Sequence, residues 1–202
     1  MPIGGGNFTV QNKVLPGAYI NFVSLGSITK AGTRGVAALP LELNWGPENK
    51  VFSIYAEDFN KTALNVFGYD PTAADILLVR EALKRARTLL IYRVNSGGTK
   101  ATATVGGMTV TAAYGGTRGN AISVAILTNS DDEANVDIVT YLAGMVMDSQ
   151  TVAKSTGSAN LKANDFVTFG TAASLEAAVA TPLTGGTNGT VNGTAHTNAL
   201  NA

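Results

Sequence analysis

The composition of this chain changes at Ser96-Gly97-Gly98, and that break constrains the fold more than any single motif. Before it, apolar runs of four to six residues alternate with helix-forming stretches. Tyr19-Ile-Asn-Phe-Val23, Val36-Ala-Ala-Leu39 and Leu89-Leu-Ile-Tyr-Arg-Val94 read as strands because aliphatic and aromatic residues are concentrated in them. Tyr55–Leu64 suits a short helix. A longer helix is expected from a cap at Asp70 and Pro71 in its first turn to about Arg87. Ile76, Leu77, Val79, Leu83 and Ala86 supply its apolar stripe, and Glu81 and Arg85 form a favourable i,i+4 pair. The basic residues of its last turn complement the helix dipole, and a solvated helix end accounts for them better than a nucleic-acid patch.

After the break, short strands are separated by turns: Ala101–Val105, Met108–Ala113, Ala121–Leu127, Val136–Tyr141, Met145–Val152 and Phe166–Phe169. Gly106-Gly107 between two alternating runs is a hairpin signal. One helical turn is expected near Gly157–Leu161 and another at Ala173–Val179. The fold class is α+β: a small α/β domain with an inserted or appended β-rich domain and an extended N-terminal arm. The divisions are residues 1–16 for the arm, 17–98 for the α/β domain, 99–186 for the β-rich domain and 187–202 for a Gly/Thr/Asn linker. In the arm, Asn7–Val14 mostly alternates at period two. It reads either as an edge strand or frayed end of its own domain, or as a strand added to another chain's sheet.

Reactive chemistry is scarce. The 202 residues include no cysteine and a single histidine, His196, and 14 basic residues balance 14 acidic ones. A disulfide scaffold and a thiolate zinc site are excluded. The absence of net charge argues against direct nucleic-acid binding. No apolar run approaches the roughly 20 residues that span a bilayer, so stable membrane insertion is not expected. The start of the chain has neither a basic nor an apolar leader segment, so no signal peptide is read there and the Asn-X-Thr triplets at Asn188 and Asn192 are taken as turn-forming sequence.

The chemical candidates are few. Tyr114-Gly-Gly-Thr-Arg-Gly-Asn120 has the glycines of an anion-binding loop, yet a strand-like segment follows it, and a structural turn is the better reading. Asp131, Asp132 and Glu133 diverge in a turn and lack calcium-loop spacing. Glu57 and Asp58 are sequence neighbours that cannot face one another as an acid/base pair. Trp45 is expected to pack under a turn. No catalytic residue, metal site or cofactor is expected, and the reading is of a non-enzymatic structural protein.

Several segments, in order, resemble one family: Pro16–Phe22, Thr33–Leu41, Asn44–Pro47, Ala82–Val94, Tyr114–Asn120 and Leu183–Gly189. Together they are similar to the N-terminal portion of contractile-tail sheath proteins of prophages and phage-like particles of Gram-positive bacteria. The resemblance implies a subunit that assembles helically around a tail tube and contracts to drive it through a cell envelope. It implies other sheath subunits, tube and baseplate proteins as partners, and a place in a virion tail or phage-like particle assembled in the host cytoplasm. It also implies an intersubunit arm, carried here by Phe8, Val10, Lys13, Val14 and Leu15. Sheath proteins of this type continue beyond the linker, so the chain is expected to be a truncated or shortened product lacking the surface that receives a neighbour's arm. The rival reading is a surface- or carbohydrate-binding module, which would need clustered exposed aromatics in residues 99–186. A hydrolase would need a buried carboxylate pair.

Overall fold

Residues 35–202 are described, from a computed structural model of the chain. The arm and the Tyr19–Val23 strand lie outside the described residues. The first sheet contains β1 (Val36–Leu41), β2 (Val51–Tyr55) and β3 (Thr88–Arg93) in the order β1-β3-β2. β1 is parallel and β2 antiparallel to the central β3. Pro40 has no N–H to give to a ladder, and it stands in edge strand β1 opposite Tyr92.

Period-two alternation gives this sheet two different faces. Ala37, Leu39, Phe52, Ile54, Leu89 and Ile91 share one face, which packs on α1 (Phe59–Phe67) and α2 (Leu77–Leu83). The helices contribute Phe59, Ala63, Phe67, Val79 and Leu83 to that core. Each large side chain buried there stabilises the fold by about 1.5–3 kcal/mol. On the other face, α3 (Ala195–Asn201) seats Ala195 and Ala199 against Tyr92 and Val94, while Val36 and Leu200 remain exposed.

The second core lies between two antiparallel sheets. One is β4 (Lys100–Val105), β5 (Met108–Gly115) and β9 (Val167–Phe169), in the order β4-β5-β9. The other combines β6 (Ile122–Thr128), β7 (Asn135–Leu142), β8 (Met145–Ala153) and β10 (Ala178–Pro182), in the order β10-β6-β7-β8. Met108, Val110 and Ala112 of β5 face Ile122, Val124 and Ile126 of β6 within one buried cluster. The alternating runs therefore become the two inner faces of a sandwich. Gly106 and Gly107 both take positive φ (53° and 84°), as a two-residue turn between right-twisted strands requires.

Four local expectations are corrected. Tyr55 is the last residue of β2, paired with Thr88, so α1 starts at Phe59 and runs on to Phe67. The alternation in Val51-Phe-Ser-Ile-Tyr outweighs the helix propensity of the next few residues. The long helix from Asp70 to Arg87 is instead a 3₁₀ turn at Ala74–Ile76 followed by the short α2. Asp70 does not cap it: its carboxylate accepts the N–H and hydroxyl of Thr72, which close a local turn. Glu81 pairs with Lys84 at 2.6 Å rather than with Arg85, and Leu77 of the expected stripe is exposed. Ala173–Val179 contains no helix; from Ala178 it is the edge strand β10. In addition, the stretch read as a linker, 187–202, includes α3 and a bridge from Thr190 to Ser96.

Candidate functional site at the junction of the two cores

The chain crosses between the two cores twice, outward after β3 and back after β10. The two crossings lie side by side. Ser96 and Thr190 exchange backbone hydrogen bonds (3.3 and 3.2 Å), as do Thr102 and Thr184 (2.9 and 3.0 Å). Gly98 permits this close approach, because a Cβ there would overlap the Thr187 carbonyl oxygen.

Arg93, the last residue of β3, is fully buried at this crossing. One terminal nitrogen donates to the carbonyl oxygens of Gly46 (3.0 Å) and Gly115 (2.7 Å), and the other donates to the carbonyl oxygen of Asn188 (3.2 Å). Its Nε has no hydrogen-bond partner among the described residues. The Glu48 carboxylate lies 3.3 Å away and also accepts the N–H of Gly97. Burial lowers the pKa of Arg93, and the Glu48 charge opposes the shift. A guanidinium keeps its proton in proteins, so the group is a buried cation held by carbonyls and one carboxylate.

Asn95 continues the network. Its oxygen accepts the Leu43 N–H (2.8 Å), and its amide donates to the carbonyl oxygens of Leu43 and Asn188 (both 2.7 Å). The Asn188 side-chain oxygen accepts the backbone N–H and hydroxyl of Thr117 (2.8 and 2.9 Å). Asn120 holds Gly186 through reciprocal bonds.

Trp45 precedes β2 in sequence, yet it is buried in the sandwich core, edge-on to Tyr114 with ring centroids 5.3 Å apart. Beyond it, Arg118 donates to the Gly68 carbonyl (2.7 Å) at the end of α1 and lies 4.2 Å over the Tyr69 ring. The Tyr69 hydroxyl accepts a bond from Asn44 at 2.6 Å, and burial pushes its pKa up. The Gly116 backbone has a φ of 146° and passes so close to the Asn44 carbonyl that a Cβ would collide with it.

The expected structural turn at Tyr114–Asn120 is therefore the sandwich side of this junction, and the charge of Arg118 is committed to Gly68 and Tyr69. Asp131, Asp132 and Glu133 are exposed in the β6–β7 turn, where Asn129 accepts the N–H groups of Asp131 and Asp132. Glu57 and Asp58 lie in the turn before α1, and His196 is exposed on α3. Phe8, Val10, Lys13, Val14 and Leu15 lie outside the described residues. The sequence reading did not single out Glu48, Arg93 or Asn95, and it took Asn188 only as turn-forming sequence. A signal for Arg93 was present, because a charge at the end of the aliphatic run Leu89-Leu-Ile-Tyr needs buried partners.

The α/β body thus carries a two-sheet sandwich inserted between β3 and α3. The residues on either side of the junction match two known families. Residues 34–94 match the tail sheath protein Gp18 domain III N-terminal region, and residues 96–188 match the phage tail sheath protein beta-sandwich domain. The chain belongs to the phage tail sheath family. It is 41% identical over 188 residues to the uncharacterized protein YqbK of Bacillus subtilis (strain 168). It is 36% identical over 186 residues to the phage-like element PBSX protein XkdK of the same organism. Each match covers 91% of this chain and 38% of the relative. Among solved structures, the sheath tail protein of Desulfitobacterium hafniense superposes with a TM-score of 0.75 at 42% identity, covering 92% of this chain and 42% of that one. The sheath tail protein Lin1278 of Listeria innocua gives 0.73 at 38% identity, covering 85% and 38%. The chain thus spans less than half the length of these relatives.

Proposed function

We propose that this chain serves as a structural subunit of a contractile tail sheath, assembling helically around a tail tube and contracting to drive it through a cell envelope. The observation that carries the reading is the ordered pair of sheath domains over residues 34–188. Its partners on this reading are other sheath subunits, tube and baseplate proteins, in a virion tail or phage-like particle assembled in the host cytoplasm. The role is non-enzymatic and uses no cofactor. The charged groups gathered at the junction support this, since Arg93 and Arg118 are spent on carbonyls and an aromatic face. Among the described residues the buried polar side chains are Arg93, Asn95 and Thr140, so the carboxylate pair of a hydrolase is not among them. The rival surface-binding module is disfavoured because Phe166 is buried and Tyr114, Tyr141 and Phe169 are half-buried.

Immunogold labelling of particles with antibodies to residues 35–202 tests the reading. Label repeating along the whole tail is expected; label confined to the tail tip would replace the sheath reading with the surface-binding one. The arm Asn7–Leu15 is proposed to add a strand to a neighbour through backbone hydrogen bonds, with Phe8, Val10, Lys13, Val14 and Leu15 as its contact residues. Thr9→Pro with Gln11→Pro removes two ladder donors and is expected to shorten or abolish tails while leaving the fold intact. Tails of normal length in that double variant would assign the arm to its own domain.

A further inference from the structure

We infer that Trp45 and Arg93 make the junction a rigid coupling, so that the α/β body and the sandwich open and unfold as one unit. The coupling deepens the sheath reading without resting on it, because its test needs no particle. Two crossings containing Gly97, Gly98, Gly185, Gly186 and Gly189 have the composition of a hinge. What surrounds them is the opposite of a hinge.

The planar guanidinium of Arg93 reaches three carbonyls on three different segments: the loop before β2 (Gly46), the end of β5 (Gly115) and the returning crossing (Asn188). A planar fork with fixed donor directions holds these three backbone points in one geometry, whereas the three donors of an ammonium rotate on a flexible stem and fix none. Partial opening is disfavoured, since separating the segments strands a buried cation without its partners. Trp45 adds a second constraint that is independent of charge. It leaves the α/β body and fills the sandwich core, so rotation of one body against the other would have to withdraw it. Arg118 supplies a third point from the sandwich to the end of α1. Three contacts that do not lie on one segment remove the bending freedom that the glycines would otherwise confer. A load applied to the sandwich then passes to the α/β body without being absorbed at the neck.

The chain's only tryptophan sits at this junction, which provides a direct readout. Urea unfolding of the full chain, followed by Trp45 fluorescence and by far-UV circular dichroism, should give coincident curves for wild type. Arg93→Met keeps side-chain length without the fork and should separate them, with the fluorescence change occurring first. Coincident curves in a folded Arg93→Met protein would overturn the inference. Hydrogen exchange of the wild-type chain tests it without a variant. The amides of Leu43, Thr102 and Thr184 should be protected to within about tenfold of the best-protected amides of β3 and β6. Protection lower by more than that factor would show that the neck opens separately and would also overturn the inference.

Discussion

Ala143 adopts a φ of 51° in the two-residue turn between β7 and β8, followed by Gly144 at 83°. A Cβ in the left-handed region costs roughly 1 kcal/mol, and Asn tolerates that region better than Ala. Because Ala143 is exposed, Ala143→Asn should raise stability by about 0.5–1 kcal/mol, measurable as a higher urea midpoint with an unchanged slope. A second prediction concerns Asp137. The Thr151 hydroxyl, and then the Asn129 amide at 3.0 Å from both oxygens, hold its carboxyl below the ordinary value of 3.8. A depressed folded-state pKa contributes stability that is fully present above the unfolded value and is lost as pH falls through the folded one. Asp137→Asn should therefore reduce the fall in melting temperature below about pH 4 relative to wild type, with little change in that dependence near neutrality. An identical acid dependence in both proteins would remove Asp137 from the account. Neither site was marked in the sequence reading, since a single Ala in a turn and a single Asp in a strand look ordinary until their backbone and partners are known.

Strands with clear period-two alternation were legible as elements. β4 to β8 lie within one or two residues of the expected ranges, because their apolar positions fill the two inner faces of the sandwich. Short elements whose fate depends on what they pack against were misread. Ala173–Val179 has helix-forming alanines, but Leu175 is drawn into the sandwich core and the chain then pairs with β6 as β10. The helix expected to reach Arg87 ends at Leu83, because Arg87 must already bond Gly35 at the start of the first sheet. Propensity is local, and tertiary hydrogen bonds override it at the ends of elements. β10 is an irregular edge strand whose Val179 is 82% exposed. Lysine on such an edge discourages strand pairing between molecules. Val179→Lys should leave the melting temperature nearly unchanged and lower light scattering on prolonged heating; unaltered scattering would clear this edge of a role in aggregation.

At the scale of the whole molecule, two cores share one junction, and the sandwich core is completed by a side chain from outside it. A segment limited to residues 99–186 lacks Trp45, Arg93 and the outward crossing up to Gly98. Losing a buried aromatic of that size costs roughly 3–5 kcal/mol. The isolated segment should therefore unfold at a clearly lower urea concentration than the full chain, and equal midpoints would make Trp45 dispensable to that core. The hairpin at Gly106-Gly107 and the burial of Trp45 could be read from the sequence, because glycine pairs, alternation and large apolar side chains act through local physics. The ordered motifs also pointed to the sheath family, and the two family matches carry that reading. The sequence could not reveal that Asn44–Pro47, Arg93, Tyr114–Asn120 and Leu183–Gly189 meet at one place. Arg93 and Asn188, which are bonded there, lie 95 residues apart along the chain. Their meeting depends on a buried cation finding three backbone carbonyls, and only tertiary structure brings such partners together.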